Sequence, residues 1–139
     1  MVSLIIGHKG SGKTKLLVEK VNAAIEKSNG NVICVEKETK LTYDVNYRAR
    51  LVATDSYSVK GFDALYGMLS GLCAGDHDIT DIFVDATLRI GSRDYEALAD
   101  FLKQVDALSK LTETTFTFTI STDKEDLPER TFTYCEQIN

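Results

Sequence analysis

Tryptophan is absent from the 139 residues, proline occurs once, histidine twice and cysteine three times. Each scarcity excludes something. His8 and His77 are too little material for a Ser/His/Asp or Cys/His catalytic constellation. Cys34, Cys73 and Cys135 lie far apart and form no Cys-x-x-Cys pair, so neither a zinc site nor a disulfide framework is expected. They read as reduced thiols packed as small apolar groups. No apolar run approaches the ~20 residues that span a bilayer. The first such run, Val2 to Ile6, stops at Gly7 and has no basic segment before it, so no secretory or membrane segment is expected and the location read is cytoplasmic. Positive charge is also short: 16 Lys and Arg stand against 21 Asp and Glu, a net charge of -5. An acidic balance argues against a nucleic-acid partner, which needs a basic stripe along its phosphates. It leaves open the binding of one nucleotide, which depends on a local field.

What is present suits one domain over residues 1–139, with a hydrophobic fraction of 43% that can fill a core. Val2–Ile6 is a continuous β-prone run of the kind buried in parallel sheets. Lys13 to about Lys27 has helical spacing, with Leu16, Leu17, Val21, Ala24 and Ile25 on one face, and Asn29-Gly30-Asn31 reads as its C-cap signal. Strands are expected at Asn31–Val35, Arg50–Thr54, Ile79–Val84 and Thr115–Ile120, with a last edge strand at Thr131–Cys135 after the loop that holds Pro128. Helices are expected from Phe62 to about Cys73 and from an N-cap at Ser92, the latter with Tyr95, Leu98, Phe101, Leu102, Val105 and Leu108 as its apolar face. Strands alternating with helices predict an α/β protein with a parallel sheet covered on both sides.

The chemistry concentrates in Gly7-His8-Lys9-Gly10-Ser11-Gly12-Lys13-Thr14. Glycines let consecutive backbone N–H groups turn inward toward an anion. The loop opens a helix, whose N-terminal dipole faces the same anion. Lys13 can reach β- and γ-phosphates with its head facing solvent, and the Thr14 hydroxyl can ligate Mg²⁺. A chance match to this spacing in a chain of this length has odds of ~1 in 100 or less. Farther on, Ile82-Phe83-Val84 would deliver the carboxylate of Asp85 to the sheet edge beside the loop.

Residues 7–14 resemble the Walker A motif of the P-loop NTPase superfamily at every fixed position, and Ile82 to Asp85 resembles a Walker B strand. The resemblance implies a three-layer α/β/α sandwich with a mostly parallel sheet of five to six strands. It implies that Gly7, His8, Lys9, Gly10, Ser11, Gly12, Lys13 and Thr14 surround the phosphates of ATP, with Lys13 also serving catalysis. Thr14 and Asp85 would then hold Mg²⁺. The extra lysine of ParA- and MinD-like ATPases is not matched, since His8 stands at its position. Ala86 stands where many of these enzymes place a catalytic Glu. The order of elements is similar to a RecA-like core, which implies Glu36 or Glu38, after the second strand, as the residue that polarises water; a solvated strand end is the plainer reading. Under the same analogy Ser121 or Thr122 would sense the γ-phosphate, and Arg89 or Arg93 would act as an arginine finger, against a plain salt bridge.

Three functions follow in order. The first is Mg²⁺-dependent ATP binding with slow hydrolysis, or switching toward a protein partner that includes a second copy of this chain as a candidate. The second is a nucleoside or other small-molecule kinase, and the third a non-catalytic nucleotide-binding scaffold. The overall look resembles that of small bacterial ATP-binding P-loop proteins. Two further clusters have plainer readings: His77 between Asp76 and Asp78 reads as a helix-end turn, and Lys37, Lys40, Arg48 and Arg50 with Tyr43 and Tyr47 make a weak single-strand nucleic-acid pattern.

Overall fold

Alternation along the strands divides the core in two. In the computed structural model, which describes residues 1–139, Val2, Leu4, Ile6, Ile33, Val35, Ile82, Val84, Phe116, Phe118 and Ile120 pack together on one face of the sheet. Ile5, Val32, Cys34 and Phe83 belong to a separate cluster on the other. A period of two puts neighbours in sequence on opposite faces, so strands with both sets apolar must be covered twice.

The strands are β1 (Val2–Gly7), β2 (Asn31–Glu36), β3 (Arg50–Ala53), β4 (Ile79–Val84), β5 (Thr115–Ser121) and β6 (Glu136–Gln137). They form one sheet in the order β3-β2-β4-β5-β1-β6. Every pairing is parallel. The helices are α1 (Lys13–Lys27), α2 (Phe62–Gly75), α3 (Thr87–Ile90), α4 (Tyr95–Thr112) and α5 (Thr131–Tyr134). On one face α1 lays Leu17, Val21 and Ile25 on the smaller cluster, joined by Leu41, Val45 and Ala49 from the segment between β2 and β3. On the other, α2 contributes Leu65, Leu69 and Cys73, and α4 contributes Leu98, Phe101, Leu102, Val105 and Leu108. Each fully buried Leu or Phe here contributes ~1.5–3 kcal/mol. Helices on both faces of a parallel sheet make an α/β architecture compatible with three layers.

Three expectations need correction. Thr131 to Cys135 is not a strand: its first residues form α5, and the edge strand is the following pair, Glu136–Gln137. Thr-Phe-Thr-Tyr alternates like a strand, but Pro128 begins a turn whose bonds run on, Thr131 N–H to Pro128 C=O at 3.0 Å and Phe132 N–H to Glu129 C=O at 3.0 Å. Helix α4 is capped by Asp94, which accepts from Ala97 N–H at 3.1 Å, two residues beyond Ser92. The end of α1 is capped at Ser28, ahead of Asn29-Gly30-Asn31. Gly30 serves a close approach instead: a Cβ there would lie 2.1 Å from the backbone oxygen of Asp78. The short α3, directly after Asp85-Ala86, is a four-residue element that periodicity cannot reveal. No helix is long and apolar enough to cross a membrane.

Candidate functional site

All six strands run the same way, so their C-terminal ends gather at one edge. β1 delivers Gly7 there, and β4 delivers Asp85, with β5 between them.

The loop after β1 is shaped by its glycines. Gly10 and Gly12 have φ of 83° and 87°, left-handed values that other residues adopt at a cost of ~1–2 kcal/mol. At Gly7 space is tight: a Cβ would lie 2.5 Å from Ser11 Oγ, whose side chain would have to turn away. Between Lys9 and Thr14, only the N–H of Ser11 donates to a backbone carbonyl, that of His8 at 3.1 Å. His8, Lys9, Gly10, Ser11, Gly12 and Thr14 are all exposed. The loop therefore presents unsatisfied backbone donors at the first turn of a 15-residue helix, where the helix dipole is positive.

Lys13 departs from expectation. Its residue is only 8% exposed, and Nζ donates to the His8 carbonyl at 2.7 Å, with Ser11 Oγ at 3.5 Å. The head folds into the loop because a carbonyl acceptor lies within reach. Desolvation pulls its pKa below the ordinary lysine value, partly opposed by the negative charge of Asp85. His8 is also engaged: Nε2 lies 2.7 Å from Asp123 Oδ1 in the turn after β5, which ties the loop to its neighbouring strand.

Asp85 is the other pole. Its N–H donates to Val35 C=O at 2.9 Å, fixing it at the end of β4. Thr14 Oγ1 lies 3.2 Å from both carboxylate oxygens. Thr119 Oγ1 donates to Asp85 Oδ1 at 2.8 Å and accepts from Ala86 N–H at 2.8 Å. One hydroxyl thus orients the carboxylate and satisfies the next peptide. Ala86 itself is left-handed, φ 57° and ψ 46°, an uncommon state for a residue with a Cβ. The odd positions of β5, Thr115, Thr117 and Thr119, turn a threonine face toward α1, and Thr119 is the site residue that sequence reading missed. The Thr-Phe-Thr-Phe-Thr alternation is the signal that could have exposed it.

Glu36 and Glu38 behave differently. Glu36 is 4% exposed, and its Oε1 accepts the Lys40 N–H at 2.8 Å. It follows Val35, whose carbonyl binds Asp85, so it lies on the same edge. Glu38 accepts from Arg89 Nη2 at 2.9 Å, with Lys40 and Lys37 farther away at 3.7 and 3.9 Å. The Arg89 hydrogen bond, with Lys40 beside it, holds the Glu38 carboxyl below the usual carboxylate range. Neither carboxylate is poised without a partner.

A hard divalent cation fits this donor set. A hydroxyl and a carboxylate already within hydrogen-bond range provide two oxygens, and Mg²⁺ commonly takes one or two protein oxygens and fills the rest with water and phosphate. The other clusters are not drawn to this edge. His77 is exposed in the turn after α2, where Asp78 N–H donates to Asp76 Oδ1 at 2.9 Å. Lys37 pairs with Asp55 and Arg48 with Glu26, so much of the charge near exposed Tyr43 and Tyr47 is neutralised locally. Cys34, Cys73 and Cys135 are buried free thiols, and burial pushes Cys34 and Cys135 up to about 12.

No protein-family model matches this chain, and no curated protein matches it.

Proposed function

We propose that this chain is a P-loop nucleotide-binding protein of RecA-like strand order that binds ATP with Mg²⁺ and hydrolyses it slowly or changes state with its γ-phosphate. The single observation that supports it most is the convergence of Thr14 Oγ1 and both Asp85 oxygens at 3.2 Å, beside a loop whose N–H groups, that of Ser11 apart, lack backbone partners. A triphosphate arriving above the loop would take the donors from Lys9 to Thr14. It would also draw the Lys13 ammonium from the His8 carbonyl, because a phosphate oxygen is the stronger acceptor. Bound Mg²⁺ supplies neutralisation of charge on the β- and γ-phosphates. Thr119 keeps the Asp85 carboxylate turned toward Thr14 and so prepares the metal side. For hydrolysis, Glu36 is the better candidate base, because it is buried at this edge and only its Oε1 is engaged, whereas Glu38 is neutralised by Arg89.

The test is a titration with Mg–ATP and Mg–ADP, followed by phosphate release without any acceptor. Lys13→Ala should weaken ATP binding about 100-fold. Its fold should lose only ~1 kcal/mol with the His8 hydrogen bond. Glu36→Gln should abolish release without abolishing binding. Release unchanged in Glu36→Gln would reject that base, and wild-type binding with no release at all would favour a nucleotide-dependent scaffold.

A further inference from the structure

A parallel sheet sorts helix ends as well as loops. The N-terminus of α1 lies at the phosphate loop, whereas α2 and α4 end at the opposite edge, where β4 and β5 begin. A cavity of about 430 Å³ opens there between the two helix ends. Its floor is apolar: Cys73, Ile79 and Leu108 are each no more than 5% exposed. Leu111, 81% exposed, carries that apolar surface out to the rim. A hollow of this size with an apolar floor and few polar groups is the common form of a small-ligand site.

The hydroxyl protons in its wall are already committed. Thr112 Oγ1 donates to the Leu108 carbonyl at 2.8 Å and lies 3.0 Å from Thr114 Oγ1, which donates to the Ile79 carbonyl at 3.3 Å. Burial pushes the Cys73 thiol up, so it remains a neutral part of the floor. What is left unmatched is negative charge. Asp76 lines the cavity, and its oxygens accept from two neutral donors, Asp78 N–H at 2.9 Å and Asn31 Nδ2 at 2.8 Å. These bonds hold its carboxyl below the ordinary carboxylate value. Arg50 and His77 act on it through space, and neither closes an ion pair with it. The end of α2 beside it is open: no N–H from beyond the helix donates to the carbonyls of residues 72–75. Lys110, the basic residue in the last turn of α4, is taken by Asp106 at 3.0 Å. Two helix C-termini, each the negative end of a dipole, and one carboxylate thus border an apolar hollow.

We propose that this cavity binds a small amphipathic cation, an amine whose apolar body covers Cys73, Ile79 and Leu108 while its ammonium meets Asp76 and the open carbonyl end of α2. A carboxylate of the same shape would be repelled by all three sources of negative charge, and a neutral molecule would gain the floor alone. The site shares no residue with the phosphate loop and does not depend on the nucleotide reading.

Amide NMR of the whole chain with phenethylamine tests it, against hydrocinnamate and phenethyl alcohol as an anion and a neutral molecule of similar shape. Phenethylamine should bind with a Kd of about 1 mM or tighter and shift amides within residues 70–79 and 108–114. Phenethyl alcohol should bind about tenfold more weakly, and hydrocinnamate more weakly still. Asp76→Asn should lower the amine affinity about fivefold and leave that of the alcohol within about twofold. If that variant does not fold, the ranking of the three probes on the wild type decides alone. Equal affinities for the three probes would overturn the proposal, as would an amine affinity unmoved in folded Asp76→Asn. Shifts that fall elsewhere, or none at about 10 mM amine, would also overturn it.

Discussion

The two edges of the sheet are built from the same strands and do different work. At the C-terminal edge polar side chains reach across elements, several of them exposed or half-exposed: Thr14 to Asp85, His8 to Asp123, Arg93 to Ser121. At the N-terminal edge they close on themselves. Ser28 Oγ meets Thr80 Oγ1 and accepts from Gly30 N–H, Asn31 donates to Asp78 and Asp76, and Ser109 joins Thr114 and Met1. One edge leaves donors for a ligand, and the other ties the ends of helices and strands together. Parallel topology makes the division possible, since it sends every β-to-α loop to one side.

Substitutions can break this contrast. The largest stability effect belongs to the closed edge. Gly30→Ala would drive a Cβ into the Asp78 backbone and should cost about 3 kcal/mol in denaturant unfolding, with nucleotide affinity of the folded fraction unchanged. On the open edge, Thr119→Val strips the hydroxyl that serves both Asp85 and Ala86. It should cost about 2 kcal/mol and raise the Mg²⁺ concentration needed for ATP binding. A loss of stability with no change in Mg²⁺ demand would make Thr119 purely structural. Ala86→Gly should go the other way, stabilising by roughly 0.5–1 kcal/mol as the left-handed strain is relieved.

The smallest effect separates the edges by their electrostatics. Glu38 on the open edge and Asp76 on the closed one are both held below their ordinary values of 4.5 and 3.8, Glu38 first by Arg89 and Asp76 first by the Asp78 N–H. A depressed carboxyl contributes stability that is present above its unfolded pKa and lost as pH falls through the folded one. The Glu38 contribution should therefore fade on acidification below about pH 4.5, and that of Asp76 only below about pH 3.8. Added salt should erase the Glu38 share, an exposed ion pair, and spare that of Asp76, a backbone hydrogen bond. Double measurement with Glu38→Gln and Asp76→Asn checks the assignment.

Much of this was legible in the residues. The apolar run from Val2 to Ile6 ending on Gly7, the helical face from Leu98 to Leu108 and the strand ending at Asp85 follow from period and punctuation, which depend on neighbours in the chain. The parts that were not legible depend on neighbours in space. Thr131 to Cys135 has a strand's alternation, yet the turn begun at Pro128 carries it into a helix. Lys13 reads as a solvent-facing cation, yet a carbonyl five residues back captures it. Thr119 serves Asp85 only because β5 lies between β4 and β1, an order that local pattern does not specify.

The most direct test is calorimetric titration of the wild-type chain with Mg–ATP, paired with a melting curve of the same samples. The account predicts a saturable heat and a raised melting temperature, both lost in Lys13→Ala at the same ligand concentrations. A wild type with no heat and no shift for any magnesium-loaded tri- or diphosphate would contradict it, as would a Lys13→Ala variant that binds as tightly as its parent.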